Sequence, residues 1–408
     1  MPARAAIYLD ANAGAPLKPE ALAAVRQLTS DLLPNPSSVH AHGRRAKRFL
    51  AEARERIALS LGSRTDPEQL VLASSGTEAN QLAIRSALSP RIRAGQAPHW
   101  ITTAVEHDSV RQMTDWLTAR GGSVDVLGVD PDGRLDLDAL ASLIRPETAL
   151  ISAMWVNNET GVITDVARLA EIVRTARASN PELKLHIDAA QAWGKLPIDL
   201  ETLGANYVAF SGHKIGGLAG TGVLHLARRT QAHAAIPGKQ EKGRRGGTEN
   251  LLGLASLGAA AATLEPVAWS ARVAPLRDRL ESEILARIPG ARINGAGAPR
   301  VANTLNATFE GVEGDSLVMA LDLAGYSVSS GSACASGVLE PSHVLLAMGR
   351  KAGEAMAAIR VSLYDECPWD ELAGFVEALV DVVARIRRSA AAASSDRSDS
   401  AVGVSRGG

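Results

Sequence analysis

Lys214 closes the stretch "YVAFSGHK", behind an apolar run and a Ser-Gly-His turn. An amine held there is partly withdrawn from water. That penalises the ammonium, lowers its pKa and makes the nitrogen a nucleophile. Asp188 follows "KLHI" in the same way, and a carboxylate at that depth needs a cationic partner. In "SSGTEAN", Ser75 and Glu78 have capping-box spacing, so a helix should start there, with Gly76 permitting close backbone approach. Free amides at a helix start make a phosphate cup. His107 ends a further apolar run and offers a flat ring. Each has a plainer account alone: a loop lysine, an N-cap aspartate, an ordinary helix cap. Together they ask for one group with a Schiff-base carbon, a basic ring nitrogen, a flat face and a phosphate. Pyridoxal phosphate has all four.

These residues need a scaffold. From about residue 68 to 226, apolar runs alternate with helical patterns: "QLVLAS", "HWITTAV", "TALISAMWV", "KLHIDA", "YVAFS" and "GVLHLA" read as strands. Most are apolar throughout, as strands buried on both faces should be. The alternation predicts an α/β domain with a mostly parallel sheet. Five of the runs stop at polar residues: "SGTEAN", Glu106-His107, Asn157-Asn158-Glu159, Asp188-Ala-Ala-Gln191 and Ser211-Gly212-His213-Lys214. Ligands of open parallel sheets bind outside the carboxyl ends of the strands, so these ends should form one site.

After residue 265 the pattern changes to a long helix, short strands near "ARIN", "NTLNATFE" and "YSVSS", and a helix from Asp315 to about Ala324. This predicts a smaller α+β domain made of residues 1–11 and 265–388, beside a large domain of 12–264. The last stretch, 389–408, has the composition of a disordered tail.

The 408 residues carry a net charge of -1, which gives no field for nucleic acid or an anionic membrane. Two cysteines make no disulfide framework. The N-terminus lacks a signal-peptide core, and "LLGLASLGAAAATL" is too short to span a bilayer and should be a buried helix. A soluble cytoplasmic protein is the expectation. His40 and His42 suggest a metal pair, but no metal site is expected.

The segments "SGTEANQLA", "EHDSV", "NNETGVI", "DAAQAWGKLPID", "SGHKI", "GRRGGTEN", "SSGSACASGVLEPSHVL" and "IRVSL" occur in the order found in cysteine desulfurases of the NifS/IscS type. The chain resembles that family over residues 7 to 365. The family consists of fold-type I, class V pyridoxal phosphate enzymes that turn L-cysteine into alanine. The resemblance implies that Lys214 holds the cofactor, His107 stacks on its ring and moves protons, Asp188 pairs with the ring nitrogen and Gln191 bonds the phenolic oxygen. Gly76, Thr77, Ser211 and His213 would surround the phosphate. Thr248 would reach the phosphate of a second subunit, which implies a homodimer. Asn158 and Arg360 would bind substrate, since a guanidinium matches both oxygens of a carboxylate. Cys334 would be the nucleophile that receives the sulfur and passes it to an acceptor protein, such as an iron–sulfur scaffold.

The chain departs from the family pattern in places. "LDANAGAP" puts Ala11 where Asn is usual and Gly14 and Ala15 where threonines are usual. "GLAG", "PGKQE" and "VSLYDECPW" also differ, and the C-terminal end shows no clear acceptor-docking tail. A selenocysteine lyase, a class V aminotransferase or a non-catalytic relative are the competing readings. Cys334 counts against an aminotransferase, which needs no thiol. Cys367 is expected to be a buried apolar filler.

Overall fold

The computed structural model describes residues 6–29, 34–312, 314–330, 340–365 and 367–402. Its strands are β1 (Ile7–Tyr8), β2 (Leu70–Ala73), β3 (His99–Thr103), β4 (Ser123–Leu127), β5 (Thr148–Met154), β6 (Lys184–Asp188), β7 (Tyr207–Ser211), β8 (Gly222–Leu226), β9 (Ala291–Ile293), β10 (Thr304–Phe309), β11 (Tyr326–Ser327) and β12 (Ala358–Ser362). Seven of them form one sheet in the order β2-β8-β7-β6-β5-β3-β4. Only β8 runs antiparallel to its neighbours.

Every residue of β5, β7 and β8 is buried. Helices cover both faces of the sheet, which is why these strands are apolar without alternation. In this sheet β4 is the strand that the sequence pattern did not suggest; outside it, β1 and β12 were not suggested either. β4 is the sheet edge, half-exposed, and its Asp125 accepts a hydrogen bond from Arg145. An edge strand with charges on it loses the apolar signature of its neighbours.

The main core lies under this sheet. Trp193 and Phe210 meet edge to face there, 5.4 Å between centroids. The Leu251–Ala261 helix is buried on nearly every side, as its composition predicts, and packs on the Pro19–Thr29 and Ala41–Ser60 helices. His40 caps the latter, its ring accepting from the Gly43 amide at 3.1 Å.

A second core gathers around the antiparallel sheet β12-β10-β9 and includes Phe309, Leu317, Leu321, Phe375 and Leu379. Ile7 and Leu9 join it from the other end of the chain, and β1 pairs in parallel with β11. Cys367 lies in this core, where burial pushes its thiol pKa up to about 11. The sequence suggested a disordered end from residue 389. Instead the final helix, Trp369–Val402, extends into it as far as residue 402. The stretch 389–402 contains alanines but no Gly or Pro, so nothing in it interrupts a helix that packing has already nucleated.

Candidate active site

β2, β3, β5, β6 and β7 deliver their C-terminal ends to one edge of the large sheet or one turn beyond it. Register fixes the depth: Asp188 pairs with Met154 on one side and Ala209 on the other.

The Gly76–Arg93 helix starts beside the end of β7. Ser75 Oγ accepts from the Glu78 amide at 3.0 Å. The return arm of the cap is shifted by one residue, because the Glu78 carboxylate accepts from the Ser74 amide at 2.7 Å. Glu78 also pairs with Arg245 of the "GRRGG" loop at 2.8 Å. A Cβ on Gly76 would lie 3.0 Å from that of Ser211, and one on Gly222 only 2.2 Å from the Ser75 carbonyl oxygen. Both glycines let the helix start nest against the sheet. Thr77 stays exposed at the first turn, where backbone amides and the helix dipole favour an anion. His213 sits beside it through Ser211, Nδ1 to Oγ at 3.1 Å, and burial lowers its pKa to about 4.

Asp188 is 4% exposed. Its oxygens accept from Asn80 Nδ2 at 2.7 Å and the Ala190 amide at 2.9 Å. Asn80 also donates to Ser109 Oγ at 2.9 Å, and Ser109 Oγ lies 2.9 Å from His107 Nδ1. One polar chain thus ties the buried carboxylate to the His107 ring. Asn80 and Ser109 were not foreseen from sequence. Their contacts span 29 and 108 residues, and no local pattern marks them.

Lys214 Nζ donates to the carbonyl oxygens of Asn12 at 2.6 Å and Ala13 at 2.9 Å. Burial, and then the Arg360 charge, lower its pKa to about 8. Gln191 donates from Nε2 to the same Asn12 oxygen at 2.9 Å. Arg360 is buried, bound to Asp10 at 2.6 Å through Nη2 and to the Asn158 carbonyl at 2.9 Å through Nη1. Its Nε has no hydrogen-bond partner among the described residues.

Gly76, Thr77, His107, Asn158, Asp188, Gln191, Ser211, His213, Lys214 and Arg360 therefore gather around one sheet edge. Thr248 is exposed on the loop that Arg245 ties to Glu78. Cys334 lies outside the described residues, but both flanks of its segment are anchored at the site. Before it, Ser329 and Arg360 exchange backbone hydrogen bonds. After it, Ser342 Oγ donates to Glu159, and His343 Nε2 lies 2.9 Å from the Glu106 carbonyl oxygen. Burial pushes the Glu106 and Glu159 carboxyls up to about 7. The sequence placed both at strand ends but gave neither a role of its own.

The residues fit pyridoxal phosphate. Asp188 is an anion whose hydrogen-bond partners among the described residues are neutral, so a cationic ring nitrogen would complete it. Lys214 is an amine with its ammonium disfavoured. The exposed start of an 18-residue helix suits the phosphate. A cavity of about 520 Å³ touches Lys195 and Lys214 but is lined neither by His107 nor by Asp188. It reaches the amine from the side of residues 15–20.

The sequence profile described as "Aminotransferase class-V" matches residues 7–373. The chain belongs to the class-V aminotransferase family, among its NifS-like cysteine desulfurases. It is 41% identical over 383 residues to a cysteine desulfurase of Cereibacter sphaeroides, covering 93% of this chain and 96% of the relative. A cysteine desulfurase of Trichormus azollae is 38% identical over 385 residues, 93% and 94% of the two chains. Among solved structures, a NifS-like protein superposes with a TM-score of 0.84 at 29% identity, over 93% of this chain and 99% of the other. The class-V fold of large parallel-sheet domain and smaller α+β domain is the one described above.

Proposed function

We infer that this chain is a pyridoxal phosphate-dependent cysteine desulfurase that releases alanine from L-cysteine and takes the sulfur onto Cys334. The observation that carries the reading is the half-buried Lys214 amine, its pKa lowered to about 8, on the same sheet edge as the buried Asp188. The cofactor, when bound, supplies an electron sink that takes up charge from the substrate carbon. Lys214 would hold it and move protons at Nζ. Asp188 would pair with its ring nitrogen, and hydrogen bonds through Asn80 and Ser109 link that carboxylate to His107. The unspent Nε edge of Arg360 receives the substrate carboxylate, with Asp10 and the Asn158 carbonyl holding the guanidinium in place. The Cys334 thiolate attacks the substrate sulfur. A sulfur–sulfur bond forms, the carbon–sulfur bond breaks, and its electron pair returns to carbon, which takes a proton to give alanine.

The reading includes a homodimer, in which exposed Thr248 meets the phosphate of the second subunit, and an acceptor protein such as an iron–sulfur scaffold that receives the persulfide. The test compares the purified protein with Cys334→Ala, using L-cysteine and a reductant. Equal amounts of sulfide and alanine from the parent, and loss of both in the variant, are expected. Full turnover in the variant would overturn the role of Cys334. A cofactor-loaded parent that makes neither product would overturn the activity.

A further inference from the structure

The reaction above gives no task to Lys195, yet this lysine is buried beside the site. Its Nζ donates to Asn12 Oδ1 at 2.6 Å and to Gln191 Oε1 at 2.5 Å. Both acceptors are neutral amides. Burial therefore holds its pKa well below the ordinary lysine range, with Lys214 and Arg360 adding to the effect.

The arrangement decides which way the Gln191 amide points. An ammonium spends two of its three N–H groups on the two oxygens, and a neutral amine spends both of its own. With Nζ donating to both oxygens Lys195 requires Oε1 on its side, and an ammonium, which has no lone pair, allows nothing else. The opposite face of the amide meets the Asn12 carbonyl oxygen at 2.9 Å, which requires Nε2 there. A flipped Gln191 would oppose oxygen to oxygen and leave a buried acceptor unpaired, a loss of about 1–3 kcal/mol. Asn12 is fixed in turn. Its Nδ2 donates to Thr304 Oγ1 at 2.9 Å and to the Asn158 carbonyl at 3.2 Å, so Oδ1 must face Lys195. Gln191 Nε2 keeps a second N–H beyond the one given to Asn12.

We propose that Lys195, held by the Asn12 side chain, is a positioning residue that fixes the Gln191 amide so that it donates an N–H to the phenolic oxygen of the cofactor. This rests on the reading that pyridoxal phosphate binds at this edge of the sheet. A donor on a phenolic oxyanion spreads its charge and weakens its hold on a neighbouring proton. Loss of that donor leaves the oxygen more basic, and the visible absorbance of the bound cofactor then titrates at higher pH.

The experiment follows that absorbance against pH in holoenzyme, together with the dissociation constant for pyridoxal phosphate. Gln191→Ala is expected to raise the titration midpoint by roughly one pH unit, and Lys195→Met by about half a unit or more. Asn12→Ala should move it in the same direction by less. Combining Lys195→Met with Gln191→Ala should add nothing to Gln191→Ala alone, because both changes remove one interaction. If Lys195→Met does not fold, Asn12→Ala against Gln191→Ala carries the same comparison. Midpoints of the Lys195 and Asn12 variants equal to the parent's, beside a shifted Gln191→Ala, would overturn the positioning role. So would an unshifted Gln191→Ala. A parent that takes up no pyridoxal phosphate overturns the underlying reading, and this one with it, and is recognised by having no visible band at all.

Discussion

The two walls of the site are built differently. The sheet-edge wall (the Gly76 helix start, His107, Asp188, Ser211 to Lys214) is assembled from turns that each follow a buried strand. The opposite wall is assembled across the chain. Asn12 meets Thr304 over 292 residues, and Arg360 meets Asp10 over 350. The first wall carries groups suited to a cofactor, and the second carries the guanidinium suited to a substrate carboxylate. A ligand that must stay is held by the rigid sheet. One that must come and go sits where the two cores meet.

The comparison breaks most readily at Lys214. Lys214→Ala should abolish covalent retention of the cofactor and lower the rate of alanine formation by more than about 10³-fold, since nucleophile and proton carrier go together. Spectra and product assays on the same preparation would show this. Retention of a covalent adduct would move the nucleophile elsewhere.

On the other wall, Arg360→Ala should raise KM for L-cysteine by roughly 10²-fold while leaving the absorbance of the bound cofactor in place. A lost visible band instead would show that the two walls are not separable. Steady-state kinetics beside a spectrum distinguishes the cases.

A smaller effect is read from pH. With its pKa lowered to about 8, Lys214 should present more free amine as pH rises through 8, so cofactor-free protein should take up pyridoxal phosphate several-fold faster at pH 9 than at pH 7. Stopped-flow absorbance measures it, and a flat profile between those values would contradict the lowered pKa.

The smallest effect belongs to Glu106, whose pKa is raised from 4.5 to about 7 by burial. The folded protein binds the more protons across that window. Stability supplied by the protonated carboxyl is therefore present at low pH and lost as pH rises from about 4.5 through 7. Glu106→Gln should flatten this dependence, narrowing the Tm gap between pH 5 and 8 by a few degrees. An unchanged gap would mean that Glu106 is ionised throughout.

The legibility of the sequence divides along the same line. Lys214, Asp188 and His107 could be placed because each stands directly behind a continuous apolar run, and such runs in an open parallel sheet end on one side. The capping spacing of Ser75 and Glu78 located the helix start, although the carboxylate reaches Ser74 instead of Ser75. β4 escaped because Ser123 and Asp125 interrupt its apolar residues. Residues 389–402 misled because polar composition resembles a disordered end even where a packed helix extends into it. Asn80, Ser109, Lys195 and the role of Asn12 left no local trace. Each has a partner distant in sequence, besides the near contacts of Ser109 with His107 and Lys195 with Gln191, and an amide inside a helix or a lysine after a turn has many commoner explanations.

β12 has a consequence beyond binding. At Arg360 its side chain grips Asp10 and the Asn158 carbonyl, while its backbone exchanges hydrogen bonds with Ser329, on the chain leading to Cys334. Seat and tether meet at a single residue. If the proposed function holds, the strand would be a common fulcrum for delivery of sulfur outward and arrival of the next amino acid.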